Sequence, residues 1–240
     1  MSIKLKKYPE TLIIPVYNEE RTIEFVLKQL ISFDLFSEII VVDDGSLDNS
    51  LSILKRYSDK IKIIELKKNF GKAYAVCRAV ESASFDYIVF CDADLTSFTR
   101  KHFESLIAPL NYDLADQVLA IRESDYNIFA KLTGERAYRK KDLVKHIKKV
   151  EHSRFSLEVY LNSVFKTKRT YLFYYPGLKQ LGKSNSWIGK ILLFDEYVKE
   201  ADEILKEIAK LNYKSRDINL MKKLKDNINK FIGKLKNIKA

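Results

Sequence analysis

Acidic residues follow three apolar runs in turn: Asn18-Glu19 after Thr11 to Val16, Asp43-Asp44-Gly45-Ser46 after Ile39 to Val42, and Asp92-Ala93-Asp94 after Tyr87 to Cys91. A single aspartate after a strand commonly caps the next helix or solvates a loop. Three such groups brought to one edge of a sheet would repel one another unless a cation offset their charge. Asp92-Ala93-Asp94 offers hard oxygen ligands directly after a buried run. That donor type suits magnesium or manganese, ions that keep open positions for substrate phosphates. A metal held there would offset diphosphate charge and stabilise a nucleoside diphosphate as it departs. An Asp-x-Asp pair is common by itself, but this one lies about fifty residues beyond Val42-Asp43-Asp44-Gly45-Ser46.

The elements that must position these groups alternate in period. Buried strands are predicted at Thr11 to Val16, Ile39 to Val42, Ile61 to Leu66, Tyr87 to Cys91 and Gln117 to Ile121. Between them, Glu19 to Ile31, Asn49 to Tyr57, Gly71 to Ser82 and Thr99 to Leu110 have helical spacing, several opened by Asn, Ser or Thr. Alternating strand and helix predicts an α/β fold with a mainly parallel sheet covered on both faces. Ligands of such sheets bind beyond the carboxyl ends of the strands, where the acids stand. Further on, helices are predicted at Lys141 to Lys149 and Ser156 to Phe165 and a strand at Thr170 to Tyr175.

With 240 residues and 46% hydrophobic content, the chain can bury one full core plus an appendage. Cys77 and Cys91 both sit in apolar segments, unlike a spaced disulfide framework, and this predicts a reduced, cytoplasmic setting. No segment reaches the roughly eighteen apolar residues of a membrane span, and Met1 to Lys7 has no apolar signal core behind it. The net charge of +11 is concentrated late: Lys210 to Ala240 carries ten Lys or Arg against two Asp, whereas Asp195 to Ala209 carries six acids against two lysines. Ile218, Met221, Leu224, Ile228, Phe231, Ile232, Leu235 and Ile238 recur at near-helical spacing among those lysines. This is the pattern of an amphipathic helix, which would lie on anionic lipid at the cytoplasmic membrane face or pack on its own domain or a partner subunit.

Pro15-Val16-Tyr17-Asn18-Glu19, Val42-Asp43-Asp44-Gly45-Ser46, Asn69-Phe70-Gly71-Lys72 and Asp92-Ala93-Asp94 closely resemble, in order and spacing, the successive motifs of family 2 glycosyltransferases. Thr133 to Arg139 and Phe155 to Asn162 resemble acceptor-side signatures of the branch that contains dolichyl-phosphate mannosyltransferases and other polyprenyl-phosphate glycosyltransferases. The resemblance runs from Thr11 to Trp187. It implies a GT-A fold over residues 1–189, with a nucleotide-sugar half to about 115, an acceptor half after it, and a helical extension over 190–240.

On this resemblance Pro15, Tyr17 and Glu19 line a nucleoside pocket, Asp44 with Asp43 behind it reads base or ribose, and Lys72 approaches base or diphosphate. Asp92, with Ala93 beside it, would contact ribose or metal, and Asp94 would be the main ligand of Mn2+ or Mg2+. Relatives often carry Gln two residues after the second acid, where this chain has Thr96, a weaker ligand. Arg122, Arg136 and Arg139 match basic positions used against phosphate, as suits the guanidinium fork. Lys179 and Lys183 resemble a basic loop that closes over phosphates, and Glu158, in an apolar helix, would orient Arg136 or the acceptor or form an ion pair. His102, His146 and His152 lack metal spacing and read as surface residues.

The resemblance further implies an inverting direct displacement, moving a sugar from a UDP- or GDP-linked donor to a polyprenyl phosphate, whose oxygen is already anionic. A soluble or glycan hydroxyl acceptor is the alternative and would need a base, for which Glu135 is the candidate. A sugar-nucleotide pyrophosphorylase lacks support because no glycine-rich basic loop follows the first strand, and dinucleotide-binding and P-loop enzymes lack it because no Gly-x-Gly-x-x-Gly or Gly-x-x-x-x-Gly-Lys occurs. A non-catalytic nucleic-acid binder would account for the basic tail, but the acidic strand ends would repel phosphate, so no nucleic-acid partner is expected.

Overall fold

The structure, a computed structural model, describes residues 9–122, 133–152, 157–175 and 179–180. A seven-stranded sheet runs in the order β3-β2-β1-β4-β7-β6-β8. Its strands are β1 (Glu10–Val16), β2 (Glu38–Asp43), β3 (Lys62–Glu65), β4 (Tyr87–Phe90), β6 (Gln117–Arg122), β7 (Arg136–Arg139) and β8 (Thr170–Tyr175). β5 (Leu95–Ser97) and β9 (Lys179–Gln180) form a separate antiparallel pair. β1 pairs in parallel with β2 and β4, β2 with β3, and β6 with β8, while β7 runs antiparallel to both β4 and β6.

The near-continuous apolar character of β1, β2 and β4 follows from burial on both faces. Along β1, Leu12, Ile14 and Val16 join a core with α1 (Ile23–Ser32), α2 (Ser50–Lys55) and α4 (Arg100–Asn111). Ile13, between them, faces the opposite core with α3 (Lys72–Ser82), α5 (Lys140–Ile147) and α6 (Leu157–Val164). One residue of register therefore sends a side chain to the other layer. In α1 the buried stripe is Ile23, Val26, Leu27 and Leu30, the spacing of one helical face.

All the predicted strands and helices that fall among the described residues form, with shifts at their ends. The largest shift is in α1, which begins at Ile23 rather than Glu19 because Asn18 takes a left-handed φ of 56° and the Thr22 and Ile23 N–H groups both donate to the Glu19 carbonyl. β7 is not predicted: Arg-Ala-Tyr-Arg is short and flanked by charge, and its pairing partners are remote in sequence. Among the described residues no helix is long and apolar enough to cross a membrane. The predicted boundary near Gly189, the amphipathic tail and Lys183 lie outside the described residues.

Candidate active site

Strand order reverses between β1 and β4, and the crevice beyond their carboxyl ends is where a doubly wound sheet offers a ligand site. Two loops on one side of it are clasped together. The Asn18 N–H donates to Ser46 Oγ (3.0 Å), and the Leu47 N–H donates back to Asn18 Oδ1 (2.8 Å). Likewise the Glu19 N–H donates to Ser50 Oγ (2.8 Å) and the Glu20 N–H to Asp48 Oδ2 (3.1 Å), while Glu20 Oε2 accepts from the Asn49 N–H (3.0 Å) and Nδ2 (2.8 Å). These bonds fix the backbone that carries Tyr17 and Glu19 without using either side chain. Pro15, in β1, pairs with Val42, and both it and Tyr17 are partly exposed toward solvent.

The adjacent aspartates differ in use. Asp44 is 3% exposed, and its oxygens accept the Phe70 and Gly71 N–H groups, each at 2.8 Å. Where the sequence reading gives Asp44 the nucleoside contact, the structure gives its carboxylate a prior task, to hold the Asn69-Phe70-Gly71 loop at the start of α3. Asp43 accepts the Ser46 N–H on Oδ2 (3.2 Å), and its buried Oδ1 has no hydrogen-bond partner. Gly45 links this pair to the loop at φ 70°, and a Cβ there would stand 2.4 Å from the Lys68 carbonyl carbon, so the turn requires glycine.

Beyond β4, the Lys72 ammonium donates to Asp92 Oδ1 at 2.7 Å and lies 2.9 Å from Glu158 Oε1. Burial acts against that ammonium, but Asp92 and then Glu158 more than offset it and hold its pKa well above the usual lysine range. Asp94 has the opposite problem. Burial, then the negative charges of Asp92 and Glu19, push its carboxyl up to about 7. A second positive charge would relieve it, which fits a divalent cation between Asp92 and Asp94. Among the described residues no group of three or more His, Cys, Asp or Glu side chains is placed to hold a metal. Ala93 is buried between the two acids, and Gly134 packs so closely that a Cβ would stand 2.1 Å from Asp92 Oδ2.

The structure gives several acceptor-side residues surroundings that their sequence motif does not show. Arg136 is 1% exposed: its Nε donates to the Thr133 carbonyl (2.5 Å) and its Nη1 to Tyr138 Oη (3.2 Å) and Asn162 Oδ1 (2.9 Å). It ties β7 to α6 from within the protein and is neither a surface arginine nor a group open to an acceptor. Arg139 lies at the opposite end of β7 from Arg136. Because β7 is antiparallel to β4, Arg136 sits beside Phe90 near the site whereas Arg139 sits beside Tyr87, roughly 16 Å from Asp92 at about 3.3 Å per strand residue. There Arg139 pairs with Asp113 (2.6 Å) and Asp116 (3.1 Å), which Arg169 also engages.

Glu135 is 2% exposed and accepts the Thr133 hydroxyl at 2.8 Å. Glu158 pairs with Lys72 instead of Arg136, whose partner on α6 is Asn162, one turn further on. Arg122 ends β6 opposite Tyr175, and β9 places the backbone of Lys179 beside Ser97, three residues past Asp94. His102 is a buried residue, 4% exposed, that accepts the Thr99 N–H on Nδ1 (2.6 Å) at the start of α4, and desolvation lowers its pKa to about 4. The sequence reading quoted Gly134, Ser46 and Asn162 within motifs without giving them roles. Only the close approach of backbone to Asp92 marks Gly134, and the clasp and the Arg136 contact mark the others.

A mainly parallel sheet interrupted by one antiparallel strand, with carboxylates gathered at the switch point, is the GT-A architecture. The model for glycosyl transferase family 2 matches residues 11–172, and the chain belongs to that family. Solved structures of glucosyl-3-phosphoglycerate synthase from Mycobacterium tuberculosis share the fold at 17% identity. One in complex with phosphoglyceric acid superposes with TM-score 0.69 over 85% of this chain and 80% of that one. Another, with Mg2+ and uridine diphosphate, gives 0.69 over 85% and 79%. Among curated relatives, poly-β-1,6-N-acetyl-D-glucosamine synthase of Staphylococcus aureus (strain COL) is 34% identical over 87 residues, 35% of this chain and 21% of that protein. Dodecaprenyl-phosphate galacturonate synthase of Rhizobium johnstonii is 29% identical over 122 residues, 48% of this chain and 36% of that protein. The chain thus spans from about a fifth to about a third of the length of these two relatives.

Proposed function

We propose that the protein transfers a sugar from a nucleoside-diphosphate sugar to a polyprenyl phosphate, with Mn2+ or Mg2+ at Asp92 and Asp94. The observation that carries this reading is the placement of Asp92, held by the Lys72 ammonium at 2.7 Å, and of Asp94 two residues on, at the carboxyl edge of the sheet beside the clasped loops of Tyr17 and Glu19. Support for the donor comes from the family and from the M. tuberculosis structures that hold uridine-diphosphate-glucose with Mn2+. When bound, the metal would supply positive charge to the departing diphosphate. Lys72, half-buried beside Asp92, adds a second positive group within reach of the same phosphates. The clasped loops of Tyr17 and Glu19 would hold the nucleoside.

Transfer forms a bond from an acceptor oxygen to the anomeric carbon as the bond from that carbon to the diphosphate breaks, the electron pair leaving with the nucleoside diphosphate. A phosphate monoester brings an anionic oxygen and no proton to remove. The burial of Glu135 favours such an acceptor, and the Rhizobium relative is named for a prenyl-phosphate product. A hydroxyl acceptor is the second reading, favoured by the staphylococcal relative named as a glucosamine polymer synthase. Arg122, at the end of β6, and Lys179, in β9, would serve the acceptor phosphate, and the tail over 190–240 would bring the site to an anionic membrane surface. The decisive assay incubates the full chain with Mn2+ and radiolabelled UDP- or GDP-sugars, offering undecaprenyl phosphate or soluble glycans. Organic-extractable label lost in Asp94→Ala supports the lipid acceptor; label on glycans alone supports the hydroxyl reading; none with any donor refutes the transferase assignment.

A further inference from the structure

Lys72 bridges two carboxylates that belong to different parts of the fold. Asp92 follows β4, at the strand end where the metal pair stands, whereas Glu158 projects from α6, which shares a core with α3 and α5. The bridge is well shielded, with side-chain exposures of 32% for Lys72, 20% for Asp92 and 14% for Glu158. A divalent ion at Asp92 would share that carboxylate with an ammonium 2.7 Å from its Oδ1. Like charges at such separation in a half-buried site repel by several times thermal energy. The lysine must yield, and Glu158 is the carboxylate placed to receive it.

We infer that Lys72 is a built-in competitor for the cation site and that Glu158 is the positioning residue that draws it off Asp92 when the metal enters. This rests on the cation-site reading of Asp92 and Asp94. In the metal-free protein Lys72 neutralises Asp92 and keeps the pair from repelling apart. In the loaded protein the Glu158-held ammonium remains beside the site, where it faces phosphate instead of a ligand oxygen. Metal affinity is thereby kept low until a diphosphate arrives to share the charge, so that cation and nucleotide bind together.

The test is Mn2+ binding to the full chain without nucleotide, read by electron paramagnetic resonance of free Mn2+ and by calorimetry, with circular dichroism to confirm folding. Lys72→Met should bind Mn2+ about ten-fold or more tighter, since removing a unit charge a few ångströms from a divalent ion is worth at least a decade of affinity. Glu158→Gln should bind more weakly, because Lys72 is then left to Asp92 alone, and this variant keeps the test alive should the methionine variant fail to fold. The double variant should match Lys72→Met, as expected if Glu158 acts through the lysine. Mn2+ binding that needs Asp94 but is unmoved, or moved in the same direction, by both substitutions would overturn this inference and leave the donor-site reading standing. Absence of Mn2+ binding in every variant, Lys72→Met included, would overturn both.

Discussion

Substituting Asp44 by Asn changes one oxygen for an amino group in a side chain that is 3% exposed and whose two oxygens each accept a backbone N–H at 2.8 Å. Volume is preserved, so the packing around β2 and α3 should hold. Whichever way the amide turns, its NH2 meets either the Phe70 or the Gly71 N–H, donor against donor. One charge-assisted bond is lost, the survivor becomes a neutral one, and a buried N–H loses its partner. Hydrogen bonds to charged groups contribute about 1.5–3 kcal/mol each, so the cost should be about 2–3 kcal/mol. For a domain of this size that lowers Tm by roughly 4–12 °C. Denaturant unfolding measures the energy, and amide hydrogen exchange locates it: Phe70 and Gly71 should lose protection while Val41 and Val42 in the strand keep theirs. Nucleotide affinity should fall too, because the loop that starts α3 carries Lys72. A loss under about 0.5 kcal/mol with both amides still protected would refute the reasoning and return Asp44 to the nucleoside contact read from the sequence.

Further outcomes follow from other contacts. Gly134→Ala should fold, since the residue does not need a left-handed φ, but its Cβ must displace the Asp92 carboxylate. Misplacing such a group by about 1 Å can reduce kcat/KM by about a hundred-fold, and Mn2+-dependent stabilisation by nucleotide in a thermal melt should vanish with it. Glu10 is fully buried with neither side-chain oxygen hydrogen-bonded, and its carboxyl is raised by desolvation from 4.5 to about 7. Its contribution to stability is fully present below about pH 4.5 and is lost as pH rises through about 7. Glu10→Gln should remove that decline, at most about 3 kcal/mol between pH 4.5 and 8; an unchanged pH profile of unfolding would show that the carboxyl is not so perturbed. Arg139→Ala should lower stability modestly through its pairs with Asp113 and Asp116, yet leave kcat/KM within about two-fold, whereas a phosphate-binding role would lower it far more.

The sequence by itself determined the layers and the location of the chemistry. Continuous apolar runs such as Leu12 to Val16 can only be strands covered on both faces, and helical stripes such as Ile23, Val26, Leu27 and Leu30 supply the cover. Parallel strands then carry Glu19, Asp43 and Asp92 to one edge, whatever the details of pairing. Which arginine reaches that edge was not legible. Arg136 and Arg139 stand three residues apart in one motif, and only the antiparallel insertion of β7 between β4 and β6 sends the first to the site end and the second to the far end. A strand of four residues records its neighbours' direction nowhere in its own composition. The division of labour between Asp43 and Asp44, and the choice of Lys72 and not Arg136 as the partner of Glu158, were likewise decided by tertiary structure. Each depends on where a loop or helix remote in sequence comes to rest, and hydrogen bonds and ion pairs act only over the last few ångströms of that approach.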